Sequence, residues 1–400
     1  MKVATRIRRS ARVGRTAVQL WLRYKAPAVG RRLSGREPAS AAIMNRRHER
    51  TADQILKLAL SMRGVMIKMC QAVATRADMF PPEFIEKLKQ CHDAVPFQPF
   101  EVVRAVVERE LGKPLDAVFS EFEEQPIAAA SLAQVHAAKL HDGREVAVKV
   151  QYPDIAKIVG VDIAATRTIC RIYEFFDPQP LELLPLLDEL QLYLKLELDF
   201  IREAESADRI RELFKDQPQI VIPEMNHKLS TKRVLIMEFV DGIKVTDRKA
   251  LDAAGINRRK VVQDLMTAYN RMILAYGFFQ ADPHPGNMFV RPDGNIVLID
   301  FGLSKELPKG FGLGLFELMF SMMTFNESAM IRAFEELGFE TESGNPDTYL
   351  ELASRMIGAS DDGAFTGEFT EDMTDELMEA IRENPVVKVP TDFILVSRAF

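Results

Sequence analysis

The 400-residue chain is 47% hydrophobic and 28% charged, too apolar to stay disordered and long enough for a large core with appended segments. No window offers the roughly 18 uncharged apolar residues that a spanning helix needs, and the most apolar stretch, 312–325, is interrupted by Glu317; both argue against a transmembrane protein. The net charge of -6 divides unevenly, because residues 1–40 carry eleven Lys/Arg and one acid while the other 360 carry 41 bases and 57 acids; a basic arm on an acidic body is no nucleic-acid signature. Three scattered cysteines (Cys70, Cys91, Cys170) give neither a disulfide framework nor a metal spacing and fit a reducing compartment. The few histidines include no His-x-x-x-His pair, so zinc chemistry is not expected.

The first segment, residues 1–48, is the basic arm. Val13, Ala17, Leu20, Trp21 and Tyr24 share a stripe at helical spacing, with Arg12, Arg15, Arg23 and Lys25 around it. Such a helix suits an anionic membrane surface; the same composition also fits an organelle transit peptide or a solvated tail.

Residues 49–98 read as a helical extension. Thr51-x-x-Gln54 has the form of a capping box, followed by Ile55, Leu58, Ala59 and Met62 at apolar spacing. Farther on, Lys68, Gln71, Thr75 and Asp78 are spaced 3, 4 and 3 apart, a polar stripe on one helical face. Pro81-Pro82 ends it, and a further helix is expected over 83–90.

Residues 99–245 read as a small lobe. A short amphipathic helix spans 100–111, then strands are predicted over 119–125, 133–140 and 145–151, with 126–131 as a loop and His141-Asp142-Gly143 as a turn. A long helical region, 154–214, is broken at Pro178-Gln179-Pro180, and strands follow at 221–223 and 233–239. Residues 246–400 read as a helical large lobe: a helix over 256–276, short strands at 288–290 and 296–299 joined by Pro292-Asp293-Gly294, then helices to the end. Met319, Met322 and Met323 read as the core face of one of these helices. A small antiparallel sheet followed by helices gives an α+β, two-lobed architecture.

Three motifs carry chemistry. Lys149 sits mid-strand in Val146-Ala147-Val148-Lys149-Val150, where a lone lysine would ordinarily face solvent. Asp282-Pro283-His284-Pro285-Gly286-Asn287 places an acid and an amide five residues apart in a Pro- and Gly-built loop. Asp300-Phe301-Gly302 follows at the end of an apolar strand. Phosphoryl transfer needs this set: a lysine on phosphate oxygens, an amide oxygen (Asn287) and a carboxylate (Asp300) for Mg²⁺, and a second carboxylate (Asp282) where the attacking hydroxyl or water arrives. His136 and His284 each sit inside a structural motif and read as packing or capping groups, and Cys70 and Cys91 as small buried hydrophobes.

The motifs also depart from ordinary protein kinases. Pro126-Ile-Ala-Ala-Ala-Ser-Leu-Ala-Gln-Val-His136 stands where a glycine-rich loop would be, Glu197-Leu-Asp199 and Glu203-Ala204 lie in the helical insert, and Lys68-x-x-Gln71 lies upstream. With Gly277-Phe-Phe-Gln-Ala-Asp-Pro-His-Pro-Gly-Asn287, the chain from about residue 50 onward resembles the UbiB/AarF family of atypical kinases. The resemblance implies a protein-kinase-like fold, ATP/ADP and Mg²⁺ as cofactors, and a nucleotide site drawing on Ala128, Ala129, Ala130, Ser131, Lys149, Glu203 and Glu238. It implies that Lys68 and Gln71 fold over the cleft, meet Glu197 and Asp199 and restrict access. Glu203 is the first candidate to pair with Lys149, Glu197 the second. Also implied are support of isoprenoid quinone biosynthesis or membrane-lipid handling, a lipid or quinone precursor and quinone-biosynthesis proteins as partners, and a cytoplasmic, peripheral-membrane or organellar location.

Alanine does not readily reach the positive-φ conformations open to glycine, so a changed ATP/ADP balance and poor peptide transfer are expected. No Ala-Pro-Glu follows Asp300-Phe301-Gly302, which counts against a conventional protein kinase. The alternatives to an atypical kinase or ATPase are a nucleotide-switched scaffold without turnover and a true protein kinase. Cys70, Ala133 and Gln280 depart from the family pattern, where glycine, glycine and histidine are usual. The chain stops at Phe400 where relatives continue, which leaves a natural end and a truncation both open.

Overall fold

The computed structural model describes residues 3–34, 40–74, 81–91, 97–176, 183–341, 349–350, 353, 386–388 and 390–397. The chain divides into two compact units, 1–205 with 224–239, and 206–223 with 240–400.

The first unit opens with helices α1 (Val3–Leu33), α2 (Ala41–Met62), α3 (Val65–Ala74) and α4 (Pro82–Leu88), the last extended by a 3₁₀ turn, Lys89–Cys91. α2 already runs from Ala41, so Thr51-x-x-Gln54 is not a cap. Thr51 is buried in mid-helix, and its hydroxyl and the Gln54 amide oxygen accept from the Arg23 guanidinium of α1 at 3.1 and 2.6 Å. The continuous helix expected beyond Met62 is interrupted, because Arg63 and Gly64 both take left-handed conformations (φ 57° and 56°). A methyl group added at Gly64 would in addition approach Ile155 at 3.1 Å. Thr75 and Asp78, the far half of the polar stripe, lie outside the described residues, as does Pro178-Gln179-Pro180.

The basic arm is helical and packed into this unit, which displaces the solvated-tail reading. Val13 is buried, and Arg9 reaches Asp162 with Nε to Oδ1 at 2.9 Å. Tyr24 Oη meets His48 Nδ1 at 2.9 Å. Trp21 instead stays 43% exposed beside exposed Val18 and Leu22.

After α5 (Phe100–Leu111) come strands β1 (Phe119–Phe122), β2 (Ala128–Ala129), β3 (Ala133–Leu140) and β4 (Glu145–Gln151), then helices α6 (Ile155–Phe176), α7 (Leu183–Glu197) and α8 (Phe200–Leu213). With β6 (Val234–Glu238), they form an antiparallel sheet of order β1-β3-β4-β6, with β2 added to β3. One core forms where Val103, Val106 and Val107 of α5 meet Val146, Val148 and Val150 of β4 and Val234 and Ile236 of β6. Alternation along a pleated strand sends that valine set to one face, which leaves Lys149 to point the other way. Residues 126–131 are not wholly loop, because Ala128 and Ala129 pair with Val135 and Gln134.

In the second unit, β5 (Ile220–Val221) runs parallel to β10 (Ile296–Leu298), which pairs antiparallel with β9 (Met288–Val290), itself beside β7 (Ile243–Lys244). β8 (Phe278–Gln280) pairs with β11 (Ser304–Glu306). Helices are α9 (Arg248–Ala253), α10 (Arg258–Asn270), α11 (Phe311–Met323) and α12 (Glu327–Leu337). The helix expected over 256–276 starts at α10, where the Asn257 side chain caps the Lys260 amide at 3.2 Å, and ends as a π turn, Arg271–Tyr276. The methionine reading of α11 is corrected. Met322 is buried with Leu315 and Leu318, whereas Met319 and Met323 are exposed beside Leu313, Phe316 and Phe320. The helix is apolar on both faces, so periodicity had no polar side against which to register. The all-helical end is likewise broken by a strand pair, Glu340–Thr341 with Val386–Lys388, before a helix at Thr391–Ser397.

Candidate active site

Lys149 is nine-tenths buried on β4, and its Nζ lies 2.7 Å from Glu203 Oε1 of α8. Glu203 is 2% exposed, and the ammonium sits 5.3 Å from the centroid of the Phe200 ring one turn earlier on the same helix. Of the two carboxylates left open by sequence, Glu203 is therefore the one beside Lys149. Such a buried pair is retained only where geometry is good, since each ion has lost its water. The helix start is set by Asp199, whose side chain accepts from the Arg202 amide at 3.4 Å.

Glu197, at the end of α7, pairs with Lys68 of α3, both side chains largely buried. Asp199 was expected beside Lys68 and is not. Its carboxylate lies 3.9 Å from Lys232 and accepts from the Arg202 amide at the start of α8. Gln71 is turned to the Cys91 carbonyl at 3.1 Å.

The alanine-rich segment is a tight turn rather than an open loop. The Ala130 amide donates to the Ala133 carbonyl at 2.8 Å, the Tyr152 hydroxyl donates to the Ala130 carbonyl at 3.2 Å, and Ser131 is buried. Among the described residues, the positive-φ non-glycine positions are elsewhere, so Ala128, Ala129 and Ala130 keep the ordinary backbone that their side chains dictate. Glu238, exposed at the end of β6, accepts from the Glu224 amide at 3.2 Å. His136 is fully buried; Gln134 Nε2 donates to its Nε2 at 2.9 Å, so its Nδ1–H donates to the Glu123 carbonyl at 2.8 Å, and burial pushes its pKa down.

The second unit holds the acids. Strand β8 ends at Gln280, with Asp282 two residues on; the β9–β10 hairpin pairs Met288 with Leu298, and the Ile299 amide donates to the Asn287 carbonyl at 3.0 Å. Asn287 and Asp300 thus emerge at the same end of one hairpin. Asp300 is itself left-handed at φ 65°, a cost tolerated best by short polar side chains. Its Oδ1 accepts from the Gly302 amide at 3.2 Å. His284 Nδ1 caps the 3₁₀ turn Pro285–Asn287 by accepting from the Gly286 amide at 3.0 Å. A side chain at Gly286 would collide with that ring nitrogen at 2.8 Å.

Gln280 has a place that sequence reasoning missed. It is fully buried; its Nε2 donates to the Ile299 and Asp300 carbonyls at 2.9 and 2.5 Å, and its Oε1 accepts from the Tyr269 hydroxyl at 2.6 Å. These bonds hold the strained backbone at Asp300. Burial, and then the Asp282 charge, keep the Tyr269 phenol protonated well above its ordinary range. The available signal was a lone amide in an otherwise apolar strand, Phe278-Phe279-Gln280.

Residues 90–334 match the ABC1 atypical kinase-like domain. The chain belongs to the ABC1 (UbiB/AarF) atypical kinase-like family. It is 33% identical to the chloroplastic Arabidopsis thaliana protein Activity of BC1 Complex Kinase 7 over 88% of this chain and 51% of that protein. It is 34% identical to AarF domain-containing protein kinase 1 of Xenopus laevis over 86% of this chain and 66% of that one. A Synechocystis protein of uncharacterized function shares 32% over 89% of this chain and 61% of its own length. The chain therefore spans about half to two thirds of the length of these relatives. A Mycobacterium tuberculosis protein solved in complex with erythromycin has the same fold, with a TM-score of 0.59 at 23% identity, covering 90% of this chain and 92% of that one. The chain thus has an α+β, kinase-like architecture. Among the described residues no helix is long and apolar enough to cross a membrane.

Proposed function

We propose that this ABC1-family chain is an atypical kinase or ATPase that uses MgATP. The observation that carries the reading is the buried Lys149–Glu203 pair on the sheet of the first unit, in a chain whose second unit presents Asp282, Asn287 and Asp300 from one rigid scaffold. Lys149, oriented by Glu203, would grip phosphate oxygens. Asn287 and Asp300 would hold Mg²⁺, and their donor set fits it: an amide oxygen and a carboxylate are the hard ligands this ion takes alongside phosphates. The ion, when bound, neutralises phosphate charge. Asp282 would orient the attacking hydroxyl or water and accept its proton. The Ala128–Ser131 turn would cover phosphates with ordinary backbone rather than glycine backbone, which favours a grip different from that of peptide kinases.

Lys68, held by Glu197, would restrict entry of a bulky acceptor. A lipid-linked role, in isoprenoid quinone biosynthesis or membrane-lipid handling, rests on the family resemblance. Peripheral contact with an anionic membrane is supported by α1, which exposes Val18, Trp21 and Leu22 along with Arg8, Arg12 and Arg15. An organellar location, if the source is eukaryotic, is supported by the chloroplastic Arabidopsis relatives. The test is phosphate release from MgATP by the full chain, with and without anionic liposomes, beside Asp300→Asn. Turnover that rises with liposomes and vanishes in the variant is the expected result. A Mg²⁺-dependent nucleotide thermal shift without turnover would replace the enzyme by a switching scaffold.

A further inference from the structure

Tyr152, the residue that follows β4, holds the Ala128–Ser131 turn and its exit by two bonds. Its hydroxyl donates to the Ala130 carbonyl at 3.2 Å, and its backbone amide donates to the Leu132 carbonyl at 2.9 Å. The Tyr152 carbonyl accepts in turn from the Ile155 amide at 3.2 Å, which ties the residue to the start of α6. Tyr152 is buried in one core with Leu132 and with Val65, Met66 and Ile67 of α3, and Ala129 packs against that core. Burial pushes the phenol pKa up to about 12, so the hydroxyl remains a donor at neutral pH. A buried tyrosine usually finds some partner for its hydroxyl, and that alone assigns it no role. The partner here, however, is one end of a peptide in the turn read as a phosphate cover. A trans peptide points its carbonyl and its N–H in opposite directions, so the bond to the Ala130 carbonyl turns the Ser131 N–H away from the ring.

We propose that Tyr152 is a positioning residue of the nucleotide site: by holding the Ala130 carbonyl, it keeps the Ser131 N–H presented to the phosphates of a bound nucleotide. This inference rests on the reading of the Ala128–Ser131 turn as the phosphate cover. Electrostatics set the direction of the effect. A backbone N–H facing phosphate oxygens attracts them, whereas the same peptide turned over would set a carbonyl oxygen against an anion. With alanines at 128, 129 and 130 the backbone has fewer orientations to choose from than glycines would give it, and Tyr152 selects among those that remain. Ala130 itself is exposed, so water replaces the donor when the hydroxyl is removed, and the loss falls on the orientation of the peptide rather than on the core.

The test is Tyr152→Phe in the full chain, which removes one oxygen and keeps the ring. Wild type and variant are titrated calorimetrically with MgATP, MgADP and adenosine. The variant is expected to bind the two phosphate-bearing nucleotides about 3- to 10-fold more weakly, the worth of one hydrogen bond, and adenosine as the wild type does. A purely structural role would weaken all three alike; that result, or unchanged affinity for MgATP and MgADP, overturns the inference. Amide hydrogen exchange over 126–133 without nucleotide is expected to be faster in the variant, and equal exchange shows that Tyr152 does not hold the turn. Should the variant fail to fold, the wild type still decides: MgATP slows exchange over 129–133 and adenosine does not, whereas equal protection by both, or by neither, removes the phosphate contact. The two readings fail separately. A wild-type chain that binds no nucleotide removes the ATP-dependent function and the phosphate role with it, while wild-type MgATP binding that Tyr152→Phe leaves intact removes the role of Tyr152 alone.

Discussion

Lys149 and Glu203 are 54 residues apart in the chain and meet only because strand β4 and helix α8 pack together. Asp282, Asn287 and Asp300 fall within one short run, ordered by a hairpin, a capped turn and the Gln280 amide. The two groups therefore fail differently. The lysine group centres on an ion pair in a core, and losing either member leaves the other charge buried. The acid group is a set of local backbone bonds, and losing one loosens a single turn.

The largest expected effect is at the ion pair. Lys149→Met leaves the Glu203 carboxylate in the core without its ammonium and should lower stability by about 3–5 kcal/mol, measured by urea denaturation. Adding Glu203→Leu should recover most of that loss. No recovery would mean that the pair is held by its surroundings rather than by each other.

Gln280→Leu comes next. It strips partners from two carbonyls and the Tyr269 hydroxyl, at about 1–3 kcal/mol for each buried group left unsatisfied. The same denaturation curve reads it. Gly286→Ala is smaller, about 1 kcal/mol, because one 3₁₀ turn can shift to relieve the contact with His284; a loss as large as that of Lys149→Met would erase the contrast between the two groups.

The smallest effect is one of pH. Burial holds His136 neutral, so the folded chain takes up that proton only below the ordinary value of 6.5 at which the unfolded chain does. The unfolded state then binds more protons as pH falls from 6.5, and stability drops on the acid side with no contribution above it. A Tm profile for His136→Gln should be flatter over that acid range than the wild-type profile.

These contrasts also explain what sequence could and could not reveal. The acids were legible because their order, spacing and turn residues lie in one stretch. The strands around Lys149 were legible from alternation, and β3 and β4 fall on residues 133–140 and 145–151 as their pattern indicated. The choice of Glu203 over Glu197 was not legible, since it depends on the turn between α7 and α8. Nor was the break at Arg63-Gly64, where two left-handed residues interrupt a sequence whose apolar spacing continues. Thr51 shows the same limit: a capping pattern read locally is, in the fold, a contact for Arg23 of another helix. The two-faced apolarity of α11 hid which methionines were buried.

The measurement that bears most directly on the central claim is nucleotide binding by the full chain, titrated calorimetrically with ATP and ADP in Mg²⁺ and in EDTA, for the wild type and Asp300→Asn. Binding that requires Mg²⁺ and is lost in Asp300→Asn, while the variant keeps the wild-type melting temperature without ligand, is the result expected of a metal-nucleotide site built on the Asp282–Asp300 scaffold. Equal binding in EDTA, or undiminished Mg²⁺-dependent binding by the folded variant, would contradict it.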